Sequence, residues 1–93
     1  MRIREVKRAF TRKLGAEEDS SGDHNYFYFK YQESEYTVGK LSHSWSGYLN
    51  DTQISLLARK LFLKKREFEK WVECTLSNDE MIEVWLKRRI ELE

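Results

Sequence analysis

The segment that most constrains the fold is residues 25–31, "NYFYFKY", where five of the seven residues are aromatic. Aromatic side chains favour β-strands, and successive side chains of a strand point to opposite faces. Phe27 and Phe29 therefore share one face, which we expect to lie in the core. The opposite, wetter face carries His24, Tyr26, Tyr28 and Lys30. The chain must then build a sheet that has one buried and one solvated face.

The flanking segments predict two further strands. Residues 33–41, "ESEYTVGKL", form a hairpin partner after a turn at 32–34, and Gly39 within it indicates a bulge or a close approach of another part of the backbone. Residues 16–23, "AEEDSSGD", are too polar for a central strand. They predict a short edge strand that runs into a turn at 20–22.

Apolar residues recur at three- and four-residue steps on both sides of these strands, which indicates helices. The first helix spans about 2–14, with its apolar stripe at Ile3, Val6, Phe10 and Leu14 and a C-cap at Gly15. Three more are predicted at 51–62, 63–74 and 78–92. Their expected inward positions are Ile54, Leu57, Ala58, Leu61, Leu63, Phe68, Trp71, Val72, Met81, Ile82, Trp85 and Leu86. Asn50 with Gln53, and Ser77 with Glu80, have the spacing of capping boxes. The fold class is α+β.

Length and cysteine content limit the classes of protein. A chain of 93 residues predicts a single domain, 1–93. The lone Cys74 excludes an internal disulfide, and we expect it to be a small buried hydrophobe. No metal site and no cofactor motif is recognisable. No run approaches the roughly 20 apolar residues of a membrane span, and "MRIREVKRAF" lacks the apolar segment of a secretory signal, so we expect a cytoplasmic protein.

Charge is strongly segregated along the chain. Residues 1–14 carry six basic residues against one acid and residues 58–70 six against two, whereas 17–36 and 71–86 are acidic. The basic segments predict a phosphate-binding surface, and the alternative is that they pair with the acidic segments as solvated faces. The candidate RNA-binding cations there are Arg4, Lys7, Arg8, Arg12, Lys64, Lys65 and Arg66.

The order of the elements resembles the double-stranded-RNA-binding-type fold, and one motif makes the resemblance more particular. A basic first helix leads to Gly22-Asp23-His24 at the start of an aromatic strand, and Tyr36-Thr37-Val38 follows in the second strand. These features resemble the HicA (YcfA-like) family of small toxins. The resemblance covers about residues 1–62, and residues 63–93 form a helical extension. Where the toxins have Gly-Ser-His-His, this chain has Gly22-Asp23-His24-Asn25.

The resemblance implies an RNA-binding protein that cleaves mRNA without a metal ion, with His24 as its catalytic residue. Such chemistry needs a base for the ribose 2′-hydroxyl and an acid for the leaving oxygen, and histidine suits both roles. His43 is a candidate second proton shuttle. Tyr26 and Tyr28 are candidates for base stacking, and Lys30 and Lys40 for contact with phosphate. A HicB-like antitoxin is the implied protein partner.

The residues also allow a reading without catalysis. A histidine beside an aspartate at the start of a strand is often a polar residue of a turn, and aromatic residues of a strand often serve a core or a protein interface. The alternative function is a non-catalytic RNA-binding or protein-interaction module, which dimerises through its sheet and the 42–50 loop. Trp45 and Tyr48 of that loop would be its natural anchors.

Overall fold

A computed structural model describes residues 1–45 and 47–92 of the chain. Ser46 of the predicted 42–50 loop and Glu93 of the predicted extension lie outside the described residues. The chain divides into two compact units, Met1–Leu49 and Asn50–Glu93. The first unit contains one helix and a sheet, and the second contains helices.

The first unit begins with helix α1 (Ile3–Arg8), which continues as a π-helical segment, Ala9–Lys13. Strands β1 (Glu17–Asp19), β2 (His24–Tyr31) and β3 (Ser34–Ser42) follow. They form an antiparallel sheet in the order β1-β2-β3, so the short acidic β1 is an edge strand as predicted. The second unit contains α2 (Asp51–Lys60), α3 (Lys65–Val72) and α4 (Asn78–Leu92). The predicted α+β class is confirmed, with the order helix, three strands, helix and then two more helices.

The core of the first unit forms where the π-helical segment meets the sheet. Phe10 is fully buried, and its ring stacks on that of Phe27 with 4.8 Å between the centroids. On β3, a Cβ added to Gly39 would lie 2.7 Å from Cζ of Phe10. Gly39 therefore permits a contact between helix and strand that any side chain would obstruct, although the group that approaches it is the ring of Phe10 and not backbone.

Gly39 also adjoins the bulge that the sequence indicated. Phe27 pairs with Gly39 while Tyr28 pairs with Thr37, which leaves Val38 as an extra residue of β3. Val38 and Gly39 are both buried, so the alternation of faces along β3 changes phase at this point. As a result Thr37 and Lys40 both point to the solvated face of the sheet.

The second unit has a core of apolar residues from its three helices. The predicted inward positions of α2 and α3 are buried, and Trp71 also donates a hydrogen bond from Nε1 to Asn78 Oδ1 (3.1 Å). On α4 Met81 and Trp85 are buried as predicted, whereas Ile82 and Leu86 are only half-buried. The Asn50–Gln53 capping box is confirmed, and Ser77 Oγ caps the Glu80 N–H at 3.2 Å.

The prediction that Cys74 is buried is wrong. Cys74 is exposed and has a left-handed backbone, with φ of 70°. Helix α3 ends at Val72, and the N–H groups of Thr75 and Leu76 both donate to the carbonyl of Lys70. Cys74 therefore lies in the turn that closes the helix rather than on its apolar stripe.

An ion pair fastens the turn between α2 and α3 to α4. Arg88 donates two hydrogen bonds to the Glu67 carboxylate, at 2.6 and 2.9 Å, and one to the carbonyl of Phe62 at 2.9 Å. Phe62 is itself left-handed, with φ of 58°. The hydrogen bonds from Arg88 lower the pKa of Glu67, because they favour its charged form.

The contact between Gly39 and Phe10 predicts a specific loss of stability. Gly39→Ala should lower the free energy of unfolding by about 1–3 kcal/mol, since the added methyl overlaps a buried ring. Gly22→Ala is the matched control, because nothing lies within 4 Å of its Cβ position, and it should change stability by less than about 0.5 kcal/mol. Urea denaturation measures both. In a Phe10→Leu background, Gly39→Ala should lower the free energy of unfolding by less than it does in the wild type. Equal losses in the two backgrounds would contradict the contact.

The Glu67–Arg88 pair predicts a dependence of stability on pH. The pKa of Glu67 is lower in the folded protein than its ordinary value of 4.5. The ion pair therefore contributes fully to the free energy of unfolding when the pH is above the ordinary pKa. This contribution is lost as the pH falls through the folded-state pKa. In the acid range, the free energy of unfolding of Glu67→Gln should therefore fall less steeply with decreasing pH than that of the wild type. The exposed Glu83 of α4 is a matched control, and Glu83→Gln should keep the wild-type slope. Equal slopes for all three proteins would contradict the role of the pair.

Candidate functional site

The solvated face of the sheet collects most of the residues that the sequence selected. Cβ positions alternate along β2, so four of its side chains lie in one row on this face: His24, Tyr26, Tyr28 and Lys30. Paired residues of neighbouring strands share a face. The row is therefore flanked by Glu17 and Asp19 of β1 and by Glu35, Thr37, Lys40 and Ser42 of β3. We call these ten residues the outer face.

Three aromatic rings run along the centre of the outer face. The centroids of His24 and Tyr26 are 6.1 Å apart, and those of Tyr26 and Tyr28 are 6.2 Å apart with nearly parallel planes. All three side chains are half-buried. Such a row offers ring faces on which unpaired bases can stack.

The bulge in β3 gives Lys40 its place beside these rings. Lys40 pairs with Tyr26, and its Nζ lies 5.9 Å from the centre of the tyrosine ring. That distance allows a cation–π contact, so the ammonium group is held over the ring row. Lys30 lies at the far end of the row and pairs with Glu35.

The structure brings the two histidines to one end of the hairpin. His24 begins β2 and pairs with Ser42, the last residue of β3, and His43 follows directly. The turn that carries His43 is closed by the Trp45 N–H, which donates to the Ser42 carbonyl at 3.0 Å. The Ser42 hydroxyl also bonds to Ser44, at 2.8 Å between the two oxygens. The strand pairing thus brings the backbone of His43, which is far from His24 in sequence, to the same end of the sheet as His24.

Acidic residues border the same face. Asp19 pairs with Tyr26, and Glu17 with Tyr28. The side chain and the backbone N–H of Ser21 both donate hydrogen bonds to Asp19 and lower its pKa, because they favour the charged form of the carboxyl. These charges oppose a polyanion along β1, which leaves the β3 side, with Lys40 and His43, as the more favourable side for phosphate.

The basic residues of α1 lie apart from the outer face. The helix packs on the buried side of the sheet, where Lys7 pairs with Glu18 at 3.7 Å. Glu18 also accepts a hydrogen bond from the buried Asn25, at 3.1 Å. Arg4, Arg8 and Arg12 recur at every fourth position and are exposed, forming a basic stripe along the helix.

The predicted basic cluster of the second unit is partly occupied by ion pairs. Lys65 Nζ lies 3.3 Å from Asp51 and 3.4 Å from Glu69, and the hydrogen bond to Asp51 is the main cause of its raised pKa. Lys64 and Arg66 are exposed. Of the three cations, these two remain available for a ligand.

Sequence reasoning missed a cleft beside the start of α1. The open cleft has a volume of about 500 Å³ and is lined by Arg2, Ile3, Arg4, Trp45, Gly47 and Tyr48. Arg2 Nε donates to the Tyr48 hydroxyl at 2.9 Å, and its guanidinium lies 5.2 Å from the centre of that ring. The two residues are 46 positions apart, so no local pattern could have indicated the contact.

Within residues 1–45 and 47–92, no three His, Cys, Asp or Glu side chains are grouped so that they could hold a metal ion. No helix in the described part of the chain has the length and apolar character needed to cross a lipid bilayer. No protein-family model, curated protein or solved structure matches the chain.

Proposed function

We propose that the protein is a HicA-like, metal-independent endoribonuclease that acts on unpaired mRNA at the end of the β2–β3 hairpin. The observation that carries the proposal is the pairing of His24 with Ser42, which makes His43 a neighbour of His24. Cleavage of RNA without a metal needs a general base and a general acid close together, and histidine is the side chain that titrates nearest neutral pH.

The proposed reaction divides the proton transfers between the two imidazoles. One neutral imidazole removes the proton of the ribose 2′-hydroxyl, and the 2′-oxygen forms a bond to the adjacent phosphorus. The bond from phosphorus to the 5′-oxygen breaks, and the other, protonated imidazole donates its proton to that oxygen. The products are a 2′,3′-cyclic phosphate and a 5′-hydroxyl, so atoms and charges balance.

Three other residues of the outer face support this role by holding the substrate. Tyr26 and Tyr28 offer ring faces to unpaired bases, and Lys40 supplies a positive charge on the side of the sheet that leads to His43. An mRNA substrate implies a cytoplasmic location. A toxin of this kind implies a HicB-like antitoxin as protein partner, which would be expected to cover the histidines.

Substitution of the histidines tests the proposal. Purified protein should cleave single-stranded RNA in the presence of a chelator, leaving 2′,3′-cyclic phosphate ends. His24→Ala and His43→Ala should each lower the rate by about 10²–10⁴-fold, as expected for loss of a general acid or base. Thr37→Ala is the matched control, because Thr37 is exposed on the same face and should leave the rate unchanged.

Two further measurements keep this test specific. Circular dichroism should show that both histidine variants retain the fold, because His24 is only half-buried and His43 is exposed. The wild-type rate should follow a bell-shaped dependence on pH, since one imidazole must be neutral and the other protonated. Wild-type protein that leaves RNA intact, or alanine variants that cleave equally fast, would contradict the nuclease.

A second candidate function is a non-catalytic module that dimerises through its sheet and the 42–50 loop. The observation that favours it is that β3, nine residues long, is the last strand of the sheet, with no strand beyond it among the described residues. An unpaired edge of this length can add a strand from a second chain. Tyr48, with 64% of its surface exposed, lies in the adjoining loop.

The dimer predicts a mass that depends on concentration. Sedimentation equilibrium should reveal a monomer–dimer equilibrium, and hydrogen exchange at the outer edge of β3 should slow as the dimer forms. A monomer at every concentration, with the same rapid exchange at this edge, would contradict this second candidate.

A further inference from the structure

The cleft beside α1 is preformed by contacts within the protein. The Ile3 N–H donates to the Gly47 carbonyl at 3.0 Å, and the Leu49 N–H donates to the Met1 carbonyl at 2.8 Å. These bonds hold residues 47–49 alongside the start of the chain. The Arg2–Tyr48 hydrogen bond and cation–π contact fix one wall. A preformed cleft costs a ligand little ordering of the protein.

The chemistry of the lining differs from that of the outer face. Among the described residues, two arginines and two aromatic rings line the cleft, and no acidic residue does. The Arg4 side chain makes no hydrogen bond or ion pair with any residue in the described ranges, so its guanidinium is available. A planar ring together with an unopposed arginine fits a ligand that has both an aromatic ring and a negative charge.

The cleft adjoins the turn that carries His43. Trp45 forms part of its wall, and the Trp45 N–H is bonded to Ser42 at the end of β3. His43 and Trp45 are two positions apart, so their Cα atoms are separated by at most about 7 Å. A single RNA strand can therefore reach both places.

We propose that this cleft binds one unpaired nucleotide of an RNA strand next to the scissile phosphate. Its base stacks on Trp45, and its phosphate is bound by Arg4, with Arg2 held alongside by Tyr48. The proposal names a substrate subsite and rests on the proposed function for the identity of the ligand as RNA. Its volume of about 500 Å³ lies within the range of small-ligand sites.

Binding can be measured separately from cleavage with a single-stranded RNA oligomer whose riboses are 2′-O-methylated, since that substitution removes the nucleophile. Trp45→Leu should weaken binding of this oligomer by about tenfold, the loss expected for one stacked base, and Trp45→Phe should retain most of the affinity. Arg4→Gln should weaken binding by several-fold and reduce its salt dependence. Lys60→Gln, which removes one charge from an exposed residue of α2, should stay within about twofold of wild type.

The identity of the ligand is tested with two competitors. An oligomer of the same length without bases should bind more weakly than the RNA and be insensitive to Trp45→Leu. An acidic peptide of equal charge should not displace the RNA. Equal binding of the abasic oligomer, displacement by the peptide, or unchanged RNA affinity in Trp45→Leu and Arg4→Gln would overturn the proposal.

The outcome is distinguishable from that of the nuclease test. Binding of the methylated oligomer requires no proton transfer, so it is measured independently of the nuclease activity. If the wild type binds with the predicted sensitivities yet cleaves no RNA, the cleft is confirmed and the nuclease is not. If it cleaves RNA while the cleft variants bind and cleave normally, the nuclease stands and the cleft proposal fails.

Discussion

The close packing of Phe10 against Gly39 and Phe27 is the constraint on which the first unit depends. The ring of Phe10 occupies the space that a side chain at position 39 would need, and it stacks on Phe27 at 4.8 Å. The bulge at Val38 accompanies this contact and changes the phase of β3. The same irregularity that lets the helix approach the sheet also turns Lys40 toward Tyr26 on the opposite side. Packing on the buried face thus sets the chemistry of the solvated face.

Much of the fold could be predicted because its signals are local. The alternation in residues 25–31, the glycine in β3 and the Asn50–Gln53 cap each act over a few residues, and all three predictions are confirmed. The exposure of Cys74 was missed, because it depends on how α3 ends rather than on the apolar periodicity. The Arg2–Tyr48 contact was also missed, because its two residues are 46 positions apart and no local pattern encodes it.

The candidate site likewise depends on local residue types and on long-range strand pairing. Residue type alone selected six residues of the sequence, which are His24, His43, Tyr26, Tyr28, Lys30 and Lys40. The register of the sheet places all of these except His43 along one row or beside it. It does not bring the basic stripe of α1 to that row, because α1 packs on the other side of the sheet. Glu17 and Asp19 place negative charge along the β1 side of the row. Under the proposed function, the histidines would transfer protons, and contacts outside the acidic border would supply affinity for phosphate.

If His24 and His43 act as one catalytic unit, as we propose, a double-mutant cycle on the rate of RNA cleavage should reveal it. Residues that act as a unit show strongly non-additive losses, because removal of either one already disables the pair. The double variant His24→Ala/His43→Ala should therefore cleave no more slowly than either single variant. Losses that multiply, or a His43→Ala variant with the wild-type rate, would contradict the joint role of the two histidines.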